Sequence, residues 1–129
     1  MLLPTTLCLT AAALLINFWL GMRCGKIRSQ AKIGVGTGGN DLLERRMRAQ
    51  LNFIEQAPLT LLGVGLIEAA GKGGLWLAPL GAVFLIGRVA HGFGMDGNFK
   101  AGRPIGMITG FALQLAVIVV GVYTVLQAA

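Results

Sequence analysis

The sequence predicts an all-α integral membrane protein, a bundle of four transmembrane helices. Three observations indicate this class. Hydrophobic residues make up 55% of the 129 residues and charged residues only 12%, against about 25% charged residues in soluble domains. The chain has four largely apolar stretches, and about 20 residues in a helix cross a hydrocarbon core of about 30 Å. Its basic residues are concentrated in two of the connections between those stretches.

The composition excludes several other classes. The length fits one domain over residues 1–129. A net charge of +6 would point to nucleic acid in a soluble chain, but the high hydrophobic content argues against that partner and against a disordered chain. Cys8 and Cys24 form no C-x-x-C pair, so we interpret them as packing residues rather than a redox site.

The first and last spans are uncharged apolar runs. Residues 5–22 lack a basic leader segment and an Ala-x-Ala cleavage site, so we interpret them as a retained helix rather than a signal peptide. Residues 105–126 are equally free of charge, and only helices or closed barrels span lipid. We therefore predict helices over about residues 3–30 and 104–127.

The two middle spans contain charged residues. The apolar run 59–70 becomes long enough to span only if its helix starts near Asp41, the predicted N-cap, with a glutamate three residues later as in a capping box. We predict this helix over about residues 41–70, with a kink at Pro58. The third helix is predicted over about residues 75–97.

Basic residues predict the orientation of the spans. They cluster between spans one and two and between spans three and four, on the same side of a four-span protein. These residues are Arg23, Lys26, Arg28, Lys32, Arg45, Arg46, Arg48, Lys100 and Arg103. The positive-inside rule places both basic connections in the cytoplasm and both termini outside. Contact with anionic lipid headgroups accounts for most of these charges.

Other polar residues lie within the spans. At 100° per residue, Arg48, Asn52 and Glu55 fall within about 60° of one another on the second helix. Arg88 and His91 share one face of the third helix. An ionised group deep in a span costs about 2.5–3.5 kcal/mol on insertion scales, so such groups usually face the bundle interior in pairs. We expect an ion pair between Glu55 and Arg88.

Two interpretations fit these intramembrane residues. In the first, the Glu55–Arg88 pair only fixes the register of two helices. In the second, a larger polar set forms a cytoplasm-facing pocket for a polar, anionic ligand, and the size of that set favours this interpretation. The set comprises Arg48, Gln50, Asn52, Glu55, Arg88, His91 and Arg103. We expect no metal site, because one histidine and one nearby acid do not make a ligand set.

Two motifs carry a resemblance to a known family. Residues 48–58, RAQLNFIEQAP, resemble the second-helix signature R-A-x-x-N-x-x-E-x-x-P of the MAPEG family, the membrane-associated proteins in eicosanoid and glutathione metabolism. Residues 87–91, GRVAH, are similar to the family's third-helix element G-R-x-x-H/Y. The likeness covers nearly the whole chain and is typical of a bacterial member.

The resemblance implies both an assembly and an activity. Family members are four-helix bundles that form homotrimers in the membrane, and many bind glutathione between neighbouring subunits near the cytoplasmic face. We therefore expect a glutathione-dependent transferase or peroxidase that uses glutathione as co-substrate and acts on lipophilic electrophiles or lipid hydroperoxides. Its other partners would be membrane lipids. The expected location is the bacterial inner membrane, with both termini periplasmic.

Site residues follow from the resemblance by position. Arg103 would be the catalytic residue, because it matches the arginine near the start of the fourth helix that stabilises the thiolate. One basic residue at the end of the first helix would meet a glutathione carboxylate, and the choice among Arg23, Lys26 and Arg28 stays open. The remaining glutathione contacts would be Arg48, Gln50, Asn52, Glu55, Arg88 and His91.

Three departures from the family pattern limit the expected chemistry. Met95 stands where several members carry a tyrosine, Gln56 where some eukaryotic members do, and Pro104 follows Arg103 where a serine is usual. Thiolate activation would then depend on arginine alone, and eicosanoid reactions are less expected. One alternative is a non-catalytic, lipid-binding family member. Another is a small multidrug exporter using Glu55, which fits less well because such exporters carry the acid in their first helix.

Overall fold

The computed structural model describes residues 1–129 and contains four helices. These are α1 (Pro4–Ala31), α2 (Asp41–Ala69), α3 (Leu77–Met95) and α4 (Gly102–Ala128). The predicted all-helical fold is confirmed, and each predicted helix end lies within two residues of the observed one. The start of α4 lies two residues earlier than predicted, at Gly102, so that Arg103 belongs to its first turn.

Three of the four helices can cross a membrane by length and composition. They are α1, α3 and α4. The fourth, α2, has 29 residues, enough for about 43 Å at 1.5 Å per residue, but it is too polar to meet the same criterion. The structure therefore supports three spans directly, and the crossing of α2 stays a prediction.

The helices pack in pairs that meet across the bundle. α1 packs mainly on α2, and α4 packs mainly on α3, while α2 also contacts both α3 and α4. α1 touches α3 but not α4. Only 27 of the 129 residues are buried, and most large apolar side chains of α1 and α4 are exposed. This apolar outer surface is suited to lipid contact.

Helix ends are fixed by a few polar contacts. The N-cap of α2 is Asn40, whose side-chain oxygen accepts from the Leu43 amide at 2.9 Å. The prediction that Asp41 is the N-cap is therefore wrong. Asp41 is the first residue inside the helix, because the side chain of Asn40 already supplies the capping acceptor. α2 then continues without a break through Pro58. Gly38 and Gly39, both with positive φ, shape the turn before it.

Candidate functional site

The polar stripe of α2 faces a cavity of about 380 Å³ between α2, α3 and α4. We call it the α2–α3–α4 cavity. The structure brings together in its wall five of the residues singled out from the sequence. They are Arg48, Asn52, Glu55, His91 and Arg103, joined by Leu51 and Met95. Helical spacing accounts for this gathering, because the α2 residues share one stripe and His91 and Met95 lie one turn apart on α3.

Arg88 lies behind the wall of this cavity. Its buried guanidinium donates from Nη1 to Asn52 Oδ1 and from Nη2 to the Gly106 carbonyl oxygen of α4. Gly106 allows this close approach, because a Cβ there would lie 2.9 Å from Arg88 Nη2. The arginine therefore joins α2, α3 and α4 behind the cavity.

The expected ion pair between Glu55 and Arg88 is not formed, and this prediction is wrong. Asn52, one helical turn before Glu55, takes the Arg88 guanidinium instead, and a backbone carbonyl of α4 takes its other nitrogen. Glu55 remains exposed in the cavity wall with no cationic partner in the chain. The cavity thus presents a free carboxylate.

Arg103 and His91 also face the cavity, and neither side chain has a hydrogen-bonding partner within the chain. Arg103 is exposed in the first turn of α4 and forms no ion pair. His91 is largely buried, at 8% exposure, yet neither ring nitrogen makes a hydrogen bond within the chain. The amide groups of a helix N-terminus favour negative charge, so the Arg103 corner of the cavity is suited to an anion.

The three basic candidates on α1 have different surroundings. Arg23 donates to the Asp96 carboxylate and to the Gly92 carbonyl oxygen (3.1 Å). Its guanidinium also lies 4.8 Å from the Trp19 ring centroid and 5.3 Å from that of Phe93, within the range of cation–π attraction. These contacts occupy Arg23 inside the chain.

Asp96 is shared with a second arginine. Arg46 of α2 donates to both carboxylate oxygens of Asp96 at 3.3 Å and to the Arg23 carbonyl oxygen at 3.2 Å. We call Arg23, Arg46 and Asp96 the Asp96 clasp. It ties α1 and α2 to the end of α3. Asp96 was not among the residues singled out from the sequence, although an acidic residue at the end of a span, among many basic ones, is a usable signal.

Arg28 and Gln50 face a different cavity, between α1 and α2, of about 690 Å³. Gln50 lies about 200° around α2 from Arg48, and its Oε1 is 3.8 Å from Cys24 Sγ. Arg48 lines both cavities. Lys26 is exposed and lines neither. Within one chain the predicted residues are therefore not all brought together: some line one cavity, some the other, and Arg23, Lys26 and Arg88 line neither.

Metal ligands are not assembled at either cavity. No group of three or more histidine, cysteine, aspartate or glutamate side chains lies close enough to hold a metal ion. The chemistry available in the α2–α3–α4 cavity is instead that of guanidinium, carboxylate, carboxamide and imidazole groups. Such a set is suited to a small molecule carrying both negative and positive charge.

Comparison with known proteins agrees with this set of residues. A profile of the MAPEG family matches residues 6–123, a range that includes both cavities and every residue named above in their walls. The uncharacterized protein sll1147 of Synechocystis sp. is 35% identical over 116 residues, covering 88% of this chain and 81% of the relative. The resemblance found in the second and third helices is confirmed, and the chain is an integral membrane protein that belongs to the MAPEG family.

Proposed function

We propose that this protein is a membrane-bound, glutathione-dependent transferase or peroxidase acting on lipophilic electrophiles or lipid hydroperoxides. The observation that carries the proposal is the α2–α3–α4 cavity, where Arg48, Glu55 and Arg103 are exposed beside Asn52 and His91. Family membership supports a glutathione-related role. The residues in the cavity match what the tripeptide requires.

Glutathione carries two carboxylates and one ammonium group. Arginine binds a carboxylate through two parallel hydrogen bonds, and Arg48 is positioned to do so at the cytoplasmic edge of α2. Glu55 is the group suited to the ammonium, because it has no cation of its own. Asn52 already accepts a hydrogen bond from Arg88. We therefore assign both residues to shaping the site and to one further hydrogen bond with an amide group of glutathione.

Thiolate formation is assigned to Arg103. A free thiol titrates near a pKa of about 8.5, and a neighbouring guanidinium favours the thiolate, which is the nucleophile. In conjugation to an aryl halide, the thiol proton passes to water, the sulfur forms a bond to carbon, and the halide leaves with its bonding electrons. In peroxide reduction, two glutathione molecules become a disulfide while the hydroperoxide becomes an alcohol and water.

A second subunit would complete the site. Arg28 and Gln50 line the α1–α2 cavity, and α1 and α4 are not in contact within one chain. We place the α1–α2 face of one subunit against the α2–α3–α4 cavity of the next in a homotrimer. Arg28 or Lys26 would then bind a glutathione carboxylate, since Arg23 is held in the Asp96 clasp. Lipophilic substrates would enter from the bilayer.

The charge distribution supports the proposed topology. We propose that α2 also crosses the membrane, which places the termini on one side and both basic connections on the other. The positive-inside rule makes the basic side cytoplasmic and the termini periplasmic in a bacterial inner membrane. Since Arg48 and Arg103 lie at the basic end, the site would face the cytoplasm.

The proposal is tested with the detergent-purified protein. We expect it to bind glutathione and to conjugate 1-chloro-2,4-dinitrobenzene or reduce a lipid hydroperoxide. Arg103→Ala should retain glutathione binding, lose the ultraviolet thiolate absorbance and lose about 100-fold or more in rate, as for removal of a group that stabilises a reacting anion. Lys72→Ala, at the opposite end of the bundle, is the control. Absence of glutathione binding at millimolar concentration would overturn the proposal.

One observation favours a non-catalytic lipid-binding role as the second candidate. The residues lining the cavity include no hydroxyl side chain, since Met95 stands at the position one turn beyond His91. Thiolate activation therefore has no hydroxyl donor in the cavity wall. Glutathione bound without thiolate absorbance, together with unchanged lipid binding, would favour this role over the enzyme.

A further inference from the structure

Three neutral polar side chains meet in the apolar part of the bundle, outside the α2–α3–α4 cavity. Gln114 of α4 donates from Nε2 to Gln56 Oε1 at 2.6 Å and to Thr60 Oγ1 at 3.1 Å. The Thr60 hydroxyl donates in turn to the Gln56 carbonyl oxygen at 2.6 Å. We call Gln56, Thr60 and Gln114 the amide cluster. It contains no charged group.

The amide cluster keeps unused hydrogen-bonding groups. A glutamine side chain offers two N–H donors and one carbonyl acceptor, but Nε2 of Gln56 and Oε1 of Gln114 make no hydrogen bond within the chain. Gln114 lies next to the midpoint of α4, at the depth where lipid offers no water to satisfy them. Both side chains are only partly buried. A partner with one acceptor and one donor would satisfy both groups.

The cluster opens onto a groove that leads to the proposed reaction centre. This groove, of about 310 Å³, lies between α2 and α4, and we call it the α2–α4 groove. Glu55 lines both the groove and the α2–α3–α4 cavity, so the two spaces adjoin. Along the helix axes, the cluster lies about 6 Å from Asn52 and about 16 Å from Arg103 at 1.5 Å per residue.

The remaining walls of the groove are apolar. They are formed by Leu59, Val117 and Ile118. An alkyl or acyl chain fits such walls, while the carboxylate of Glu55 at the mouth disfavours a second anion. The occupant is therefore expected to be an amphiphile whose inner polar group is uncharged.

We propose that the amide cluster recognises a neutral hydrogen-bonding group on a lipophilic co-substrate that occupies the α2–α4 groove. Hydroxyl, carboxamide and protonated carboxyl groups have the required donor and acceptor. The assignment rests on the proposed glutathione-dependent function and names its substrate class: amphiphiles whose electrophilic carbon or hydroperoxide is separated from such a group by an apolar chain. Gln56 and Gln114 thus become specificity-determining residues.

The test compares two matched substrates. Both are chloronitrobenzenes with the same long alkyl chain, ending in a primary carboxamide in one and in a methyl group in the other. In each reaction the glutathione sulfur replaces chloride, which leaves with the bonding electrons. The wild type should prefer the carboxamide-ended substrate, since only that one satisfies both free groups of the cluster.

Variants of the two glutamines should remove this preference. For the carboxamide-ended substrate, kcat/KM should fall about three- to tenfold in Gln114→Leu, the effect of losing one neutral hydrogen bond. For the methyl-ended substrate it should stay unchanged. Gln56→Leu should show the same changes in kcat/KM, and it replaces Gln114→Leu in the test if that variant fails to fold. Gln127→Leu, an exposed position at the end of α4, is the matched control.

Several results would overturn the assignment. An equal loss for both substrates would mean that the cluster only joins α2 to α4. A change of oligomeric state in Gln114→Leu, seen by light scattering in detergent, would mean that the cluster pairs with a second copy of the chain. A preference present in dodecyl maltoside but absent in phosphatidylglycerol nanodiscs would assign the cluster to a lipid ester carbonyl.

A binding measurement separates this assignment from the proposed function. Calorimetric titration with the carboxamide-ended compound, without glutathione, should show weaker binding to Gln114→Leu than to wild type. If the wild type conjugates neither substrate but this difference persists, the enzyme proposal fails and the recognition site stands. If the wild type conjugates both equally and no difference is found, the recognition site fails and the enzyme proposal stands.

Discussion

The Asp96 clasp and the α2–α3–α4 cavity adjoin each other but treat charge in opposite ways. In the clasp, one carboxylate with 11% side-chain exposure takes two arginines, and both bonds stay inside the chain. In the cavity, Glu55 has no cation and Arg103 has no anion. Arg48, in the same wall, has one long contact of 3.7 Å to the carboxylate of Glu44. The charges of the first region join helices, whereas Glu55 and Arg103 of the second region are unpaired.

Residue type alone therefore does not assign a role to a charged side chain. Arg23 and Arg28 are five residues apart on α1, which turns them about 140° from each other. Arg23 lies in the clasp, stacked on Trp19 and Phe93, while Arg28 lines the α1–α2 cavity. Arg28 also donates within the chain, to the Gly36 carbonyl oxygen at 2.8 Å and to Met47 Sδ at 3.4 Å, but it has no carboxylate partner. The carboxylate partner of Arg23, which only the fold reveals, is what separates the two arginines.

The largest effect is expected from breaking the clasp. Asp96→Asn leaves two nearly buried guanidinium groups without their shared carboxylate. Removing one partner of a buried ion pair costs about 3–5 kcal/mol, so the thermal unfolding midpoint in detergent, followed by helical circular dichroism, should fall strongly. Asp41→Asn removes an exposed carboxylate that pairs with Arg45 and should change little. Equal effects of the two variants would contradict the structural role of the clasp.

A smaller and different effect is expected from Glu55→Gln. The carboxylate has no partner in the chain, so the unfolding midpoint should stay close to that of the wild type. Loss of a charged hydrogen bond to the glutathione ammonium should weaken binding by about 1.5–3 kcal/mol, or about ten- to a hundredfold in Kd measured by calorimetry. If Glu55→Gln lowered the unfolding midpoint without changing Kd, Glu55 would have a structural role, and the cavity would not differ from the Asp96 clasp in its use of charge.

The sequence predicts the helices and the cavity well for one physical reason. Intramembrane polar residues are costly, so their helical spacing on α2 and α3 marks a shared face, and Arg48, Asn52 and Glu55 do line one cavity. Gln50 was assigned from the sequence to the same pocket, but its position about 200° around α2 from Arg48 turns it toward the α1–α2 cavity instead. The spacing of Gln56 and Thr60, one turn apart, was likewise a readable signal for the amide cluster.

Pairings between helices were not predictable in the same way. The sequence favoured Glu55 as the partner of Arg88 because opposite charges attract. The fold instead places Asn52 and the Gly106 carbonyl within reach of the two guanidinium nitrogens. Choosing among acceptors one helical turn apart depends on how α3 and α4 approach each other, and Gly106 sets that approach. Such detail arises from packing and not from residue type.

A third acid, at the other end of the bundle, has partners within the chain that are all uncharged. Glu68 of α2 carries no arginine partner but accepts from the amides of Thr5 (2.8 Å) and Thr6 (2.7 Å) and from the Thr6 hydroxyl (2.6 Å). It thereby caps the first turn of α1, whose own N-cap residue, Leu3, has no capping side chain. A carboxylate at a helix N-terminus is stabilising.

Glu68→Gln should therefore lower the unfolding midpoint, but by less than Asp96→Asn. The amide keeps one acceptor oxygen, and the change leaves no arginine uncompensated. Glutathione Kd should stay unchanged, because Glu68 lies about 20 Å along α2 from Glu55. Thr6→Val, which removes the hydroxyl but keeps both backbone amides, should cost less still. If Glu68→Gln destabilised the protein as much as Asp96→Asn, neutral donors would hold the bundle as firmly as paired charges do.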